Sequence, residues 1–160
     1  LKIAASEFIR SPPSQNPRLL VCGEPGSGQA HIAPALLHAL EQFVVHAISL
    51  PALLSDGGRL PEEALVAAVT EARRAAPSIL YLPHIRLWWE SANATLRAKL
   101  LTLLDDIPPN LPVMLLATAA CERNELDEEL AEAFAGEQRS YALTKPKDAR
   151  AGPLPPSAAV

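Results

Sequence analysis

Cysteine, methionine and lysine are all scarce in this 160-residue sequence, which has two cysteines and one methionine. Cys22 and Cys121 lie far apart, form no CxxC and have no histidine at ligand spacing. A zinc site and a disulfide framework are therefore excluded, and thiols in a reducing compartment, cytosol or nucleus, are expected. His31, His38, His46 and His84 form no pair at metal-binding spacing, so no metal site is expected. Four lysines and ten scattered arginines in a chain of net charge -4 give no basic stripe, which excludes direct nucleic-acid binding. No apolar run is long enough to span a bilayer and no charged-then-apolar leader opens the chain, so no membrane partner is expected and Asn93-Ala94-Thr95 reads as a chance glycosylation sequon. An opening Leu1 in place of Met is what a piece of a longer protein would show.

What is present is core. A hydrophobic fraction of 49% over 160 residues suffices for one compact domain. Residues 1–16, with Ser11-Pro12-Pro13-Ser14, read as a linker, residues 17–144 as the domain, and the Pro/Ala-rich residues 145–160 as a disordered tail. Within the domain, Arg18 to Cys22, Phe43 to Ile48, Ser78 to Leu82 and Pro112 to Thr118 are short apolar or β-branched strands, and Ser140 to Leu143 is a candidate fifth. Helical signals alternate with them. Ala35 to Leu40 has helical composition. Pro61, Glu62 and Glu63 open a helix carrying Leu65, Val69, Ala72 and Ala76, and Leu96, Leu100, Leu103, Leu104 and Ile107 line one face of another, ended by Pro108-Pro109. An acidic helix follows from about Leu126. Near-continuous apolar strands alternating with helices predict an α/β fold, a doubly wound parallel five-stranded sheet whose ligands bind at the carboxyl ends of the strands.

Directly after the first strand stands Gly23-Glu24-Pro25-Gly26-Ser27-Gly28-Gln29-Ala30, which keeps the glycine spacing of GxxxxGK[ST] in the strand-to-helix setting that motif requires. Its chemistry is gone. Gln29 occupies the place of the lysine that meets the β/γ-phosphates, and Ala30 that of the hydroxyl that holds Mg²⁺. A charge-assisted hydrogen bond contributes about 1.5–3 kcal/mol, so the lysine alone accounts for roughly one to two decades of triphosphate affinity. A turn that merely connects strand to helix is the favoured reading. Pro34 adds to this, because in a helix beginning at the loop it would remove an interior hydrogen bond and displace or bend the first turn.

Pro17 to Gln29, then Ala76-Pro77-Ser78-Ile79-Leu80-Tyr81-Leu82-Pro83-His84-Ile85 and Leu87-Trp88-Trp89-Glu90, resemble the second, degenerate AAA module of the bromodomain-containing chromatin ATPases, the ATPase family AAA domain-containing protein 2 group. The resemblance covers roughly Pro17 to Phe134. It implies a sheet of the P-loop/AAA type, with the helical lid missing or replaced after Ser140 to Leu143. It also places Pro83 and His84 where active modules carry the Asp and Glu that order magnesium and activate water, and Ala120 where they carry a polar sensor. Glu132 and Ala135 fall where arginine fingers would be, and Gly57, in Asp56-Gly57-Gly58-Arg59, where a pore aromatic would be.

The function implied is a non-hydrolysing scaffold module of a hexameric, nuclear AAA ATPase that binds or loads histones H3–H4, with other AAA subunits or modules and histones as partners and hydrolysis left to another module. No cofactor is required on this reading, and ATP or ADP is expected to bind only weakly. The alternative is a nucleotide-sensing pseudoenzyme that holds ATP or ADP through the backbone N–H groups of Gly26, Ser27 and Gly28. Adjacent residues of one element are not expected to face one core, so one of Trp88 and Trp89 is assigned to a subunit contact. Glu122, Glu125, Asp127, Glu128, Glu129 and Glu132 read as a solvated helix face, with basic histone segments or a neighbour's arginines as the alternative.

Overall fold

A computed structural model describes residues 16–55, 57–135 and 140–143. The chain begins in β1 (Arg18–Gly23), enters α1 (Gln29–Ala39) and passes through β2 (Val44–Ala47) and α2 (Leu50–Ser55) into α3 (Pro61–Arg74). Then follow β3 (Ser78–Leu82), α4 (Ile85–Ser91), α5 (Ala94–Asp105), β4 (Val113–Ala119), a 3-10 turn at Arg123–Glu125, α6 (Glu128–Ala133) and β5 (Ser140–Leu143). The five strands form one sheet in the order β2-β3-β4-β1-β5, and every pairing is parallel.

Burial explains the apolar runs. All seven residues of β4 are buried, as expected of a central parallel strand with both faces covered. On one face Leu36 of α1 and Leu40, which caps its end, pack against Leu19, Val21, Ile79, Met114 and Leu116. On the other, α3, α4, α5 and α6 bury Leu65, Val69, Trp88, Leu100 and Leu130 against Leu20, Leu80 and Leu115. The sheet is thus doubly wound, with the larger core on the α3 to α6 side.

Polar ties close the amino-terminal edge. The Arg18 guanidinium donates to the carbonyls of Ala133 at 3.1 Å and Leu104 at 3.3 Å, near the carboxyl ends of α6 and α5, where a cation opposes the helix dipole. It also reaches the Asp105 carboxylate at 2.8 Å. Asn16 donates to the Ile107 carbonyl at 2.9 Å, and the buried Ser78 hydroxyl to the Ala72 carbonyl at 2.6 Å.

Several expectations are corrected. Neither tryptophan faces outward: Trp88 is 1% and Trp89 3% exposed, and both belong to the larger core, so neither offers a surface to a subunit. The short α4 sinks Ile85, Trp88 and Trp89 together and leaves Leu87, at 61%, on the outside. The first helix is not displaced by Pro34; α1 starts at Gln29, straight from the loop, with Pro34 inside it. The acidic helix is split, its first acids lying on the 3-10 turn and α6 beginning at Glu128. Helices α2 and α4 were not anticipated. Asp56, the linker before Asn16, and the lid and tail expectations after Leu143 lie outside the described residues.

Trp88→Ala is expected to lower stability by about 3–5 kcal/mol in urea unfolding, because a fully buried aromatic leaves a cavity. Leu87→Ala, on the exposed side of the same helix, should stay within about 0.5 kcal/mol of wild type. Comparable melts of the two variants would contradict this packing.

Candidate functional site

The register puts the carboxyl ends of three strands side by side. Cys22 lies opposite Ala119 and Leu82 opposite Ala117, so Gly23, the last residue of β1, and Pro83 and Ala120, which follow β3 and β4, lie at the carboxyl edge of the sheet. In an open parallel sheet this is where ligands sit.

The loop after β1 is built by its glycines. Gly26 has φ 87° and Gly28 φ 98°, left-handed values that L side chains rarely adopt. A Cβ on Gly28 would meet nothing within 4 Å, so backbone conformation rather than space requires glycine there. The Ser27 N–H donates to the Glu24 carbonyl at 3.0 Å, closing the turn. The Gly28 carbonyl then accepts from His31 at 2.9 Å and Ile32 at 3.1 Å, the first hydrogen bonds of α1. Gln29 and Ala30 occupy the first turn of that helix, the position from which a phosphate-binding lysine and hydroxyl would act.

At the end of β3, Pro83 is half-buried and His84 exposed. His84 is the one described non-glycine residue with positive φ, 52°, and it caps α4. Its N–H donates to the Thr118 hydroxyl at 3.2 Å, and its carbonyl accepts from the Trp88 N–H at 3.0 Å. The turn that ends β3 is thereby latched to β4. Thr118 is the residue sequence reasoning missed; the signal was one hydroxyl inside the otherwise apolar Val113 to Ala119. Ala120 lies exposed just past the end of β4 and offers no polar group. Among the described residues no group of three or more His, Cys, Asp or Glu side chains is placed to hold a metal ion.

Beneath this edge, on the α3 to α6 side, lie the two thiols. Cys22 and Cys121 are both buried and form no disulfide. Burial, then the nearby Cys121, raises the Cys22 pKa above the ordinary 9.0, with Arg123 partly opposing. Burial likewise raises Cys121, opposed by the charge and hydrogen bond of Arg86. These are core thiols held neutral, unlike the depressed thiols of reactive cysteines.

The family described as "ATPase family associated with various cellular activities (AAA)" matches residues 19–140. ATPase family AAA domain-containing protein 2B of Homo sapiens is 53% identical over 120 residues, 74% of this chain and 8% of that protein. ATPase family AAA domain-containing protein 2 of Mus musculus is 50% identical over 124 residues, 77% of this chain and 12% of that protein. The ATPase histone chaperone abo1 of Schizosaccharomyces pombe is 31% identical over 130 residues, 81% of this chain and 11% of that protein. The chain therefore spans about a tenth of the length of these curated relatives.

A thiol whose folded pKa exceeds its unfolded value stabilises the fold fully below the unfolded pKa, and that contribution is lost as pH rises through the folded pKa. Urea stability should therefore decline from about pH 9 upward. The Cys22→Ala, Cys121→Ala double variant should show a flatter alkaline limb. An unchanged limb would show that the thiols do not set it.

Proposed function

Because the chain belongs to the ATPase family associated with various cellular activities, we propose that it is a non-hydrolysing AAA module, a scaffold within a larger chromatin-related AAA ATPase. The observation that carries this is the composition of the crevice. Three strand ends meet there, and Gln29, Ala30, Pro83, His84 and Ala120 bring neither a lysine, a metal-binding hydroxyl nor a carboxylate to it. Phosphoryl transfer depends on positioning and on stabilising charge, and a crevice that lacks these groups at the motif positions is poorly equipped to lower the barrier. A backbone that still forms the loop and strand ends keeps the shape of the module while leaving hydrolysis to another part of the parent protein.

The chromatin setting is supported by relatives whose names include a histone chaperone and an ATPase with bromodomain. We extend from them a nuclear location, other AAA subunits or modules as assembly partners, and histones as cargo of the whole protein. Among the described residues no helix is long and apolar enough to cross a membrane.

One observation favours a second reading. Gly26 and Gly28 hold left-handed conformations at the start of α1, which leaves their two N–H groups as the candidates to meet an anion, since the Ser27 N–H is spent on the Glu24 carbonyl. On that reading the module senses ADP or ATP through its backbone without hydrolysing either, and no metal is needed.

Thermal melts with nucleotide separate the two. Stabilisation follows RT ln(1 + [L]/Kd), so a scaffold that does not bind should show almost no change in Tm with millimolar ATP and Mg²⁺. A clear rise with ADP would select the sensor. Gln29→Lys with Ala30→Thr should create no ATPase, because the end of β3 still lacks a carboxylate. Turnover by that double variant would overturn both readings.

A further inference from the structure

The pairing of β1 with β4 brings together the two cysteines, which lie far apart in the sequence. Alternate residues of a strand share a face, and Ala117, Ala119 and Cys121 all enter the larger core, as do Leu20 and Cys22. Cys22 lies opposite Ala119, so Cys121 is the next side chain along the face that Cys22 shares. The chain bends where β4 ends, and the Arg123 backbone N–H hydrogen-bonds the Cys22 thiol. The segment after β4 therefore folds back over the end of β1. The two sulfurs differ in setting. Cys121 stands between exposed Ala120 and Glu122 and is hydrogen-bonded by the Arg86 guanidinium, whose side chain is 42% exposed. Cys22 stands between buried Val21 and buried Gly23.

We propose that Cys22 and Cys121 form a reversible oxidation site for hydrogen peroxide: Cys121 reacts first, Cys22 resolves it, and the disulfide clamps the end of β1 to the segment after β4. The Cys121 thiolate, favoured by the Arg86 cation, attacks one peroxide oxygen; the O–O bond breaks, hydroxide leaves and Cys121 becomes a sulfenic acid. The Cys22 thiolate then attacks the Cys121 sulfur, forming the S–S bond and expelling the sulfenic hydroxide. Both hydroxides take up the thiol protons, so two thiols and one peroxide give one disulfide and two waters. Burial selects a small oxidant, since Cys22 is 1% and Cys121 2% exposed. Burial also keeps both thiols largely protonated, so the site is slow at rest. That suits a reducing compartment, where protein disulfides are transient and redox-sensing. The bond forms one residue before Gly23, the head of the phosphate loop, and uses none of the crevice residues that carry the non-hydrolysing reading.

The test treats the reduced chain with hydrogen peroxide, caps remaining thiols with N-ethylmaleimide and reads the intact mass. An uncapped product lighter by two hydrogens is expected, with the tryptic peptides of Cys22 and Cys121 linked until dithiothreitol releases them. The oxidised chain should melt about 5 °C or more above the reduced chain, because the bond closes a long loop of the unfolded state. With dimedone present from the start, the sulfenic acid should be trapped on Cys121. Cys22→Ala should accumulate that adduct, and Cys121→Ala should leave Cys22 unmodified. Should either alanine variant lose its fold by circular dichroism, trapping on wild type decides which sulfur reacts first. Arg86→Gln should slow trapping by about fivefold or more, whereas Leu87→Ala on the same helix should leave its rate unchanged. Thiols that stay fully capped, gain oxygen without linking, or link only between chains would overturn the site. Dimedone found first on Cys22, or Arg86→Gln reacting as fast as wild type, would overturn the assigned roles. An oxidised chain that melts no higher than the reduced one would overturn the clamp.

Discussion

The pairing of β1 between β4 and β5 is the constraint on which the rest depends. Parallel pairing in a single sheet forces all strands to end on the same side, so Gly23, Pro83 and Ala120 have no choice but to converge there. It also commits both faces of the inner strands to burial. Leu20 and Val21 are each 0% exposed and belong to opposite cores. Burying such a side chain is worth about 1.5–3 kcal/mol, so the strand is anchored by contacts that involve none of the crevice residues. The loop can change its chemistry while the sheet that positions it stays the same.

The tryptophan pair shows how an element's depth overrides a rule about its periphery. Consecutive helical residues point about 100° apart, which separates core from solvent only when a helix lies on the surface with a narrow buried stripe. Helix α4 has seven residues and packs against β4 within the larger core, so the buried arc is wide enough for Trp88 and Trp89 together. The consequence is polar as well as apolar. Both indole N–H groups are buried without a protein acceptor, each costing about 1–3 kcal/mol against the large area its ring buries.

What was legible in the sequence was whatever repeats over enough residues. Helices α3 and α5, of 14 and 12 residues, announced themselves by period and caps, and β3 and β4 by apolar runs. Helices α2 and α4, of six and seven residues, offer fewer than two turns, too little for a period to emerge. Pro34 misled for a different reason. Its ring removes an N–H, but the residue is exposed, so water can serve the carbonyl left without a donor and α1 proceeds through it. The candidate site divides in the same way. The loop spacing and the residues ending β3 are local and readable, whereas the latch from His84 to Thr118 joins positions 34 apart and appears only when the strands pair.

The loop also separates two kinds of residue that a motif treats alike. Gly26 and Gly28 are required by their own left-handed φ values, with or without a phosphate present, because any L side chain there strains the turn that feeds α1. A lysine or a threonine at the start of α1 has no such backbone duty; its place is justified only by the ligand it meets. When the ligand ceases to matter, folding continues to hold the glycines and nothing holds the other two. On the non-hydrolysing reading, a loop with its glycines intact and Gln29 and Ala30 beyond them is what the physics of the turn preserves by itself. Glycine spacing alone attests the fold of this family, and the side chains after it attest the chemistry.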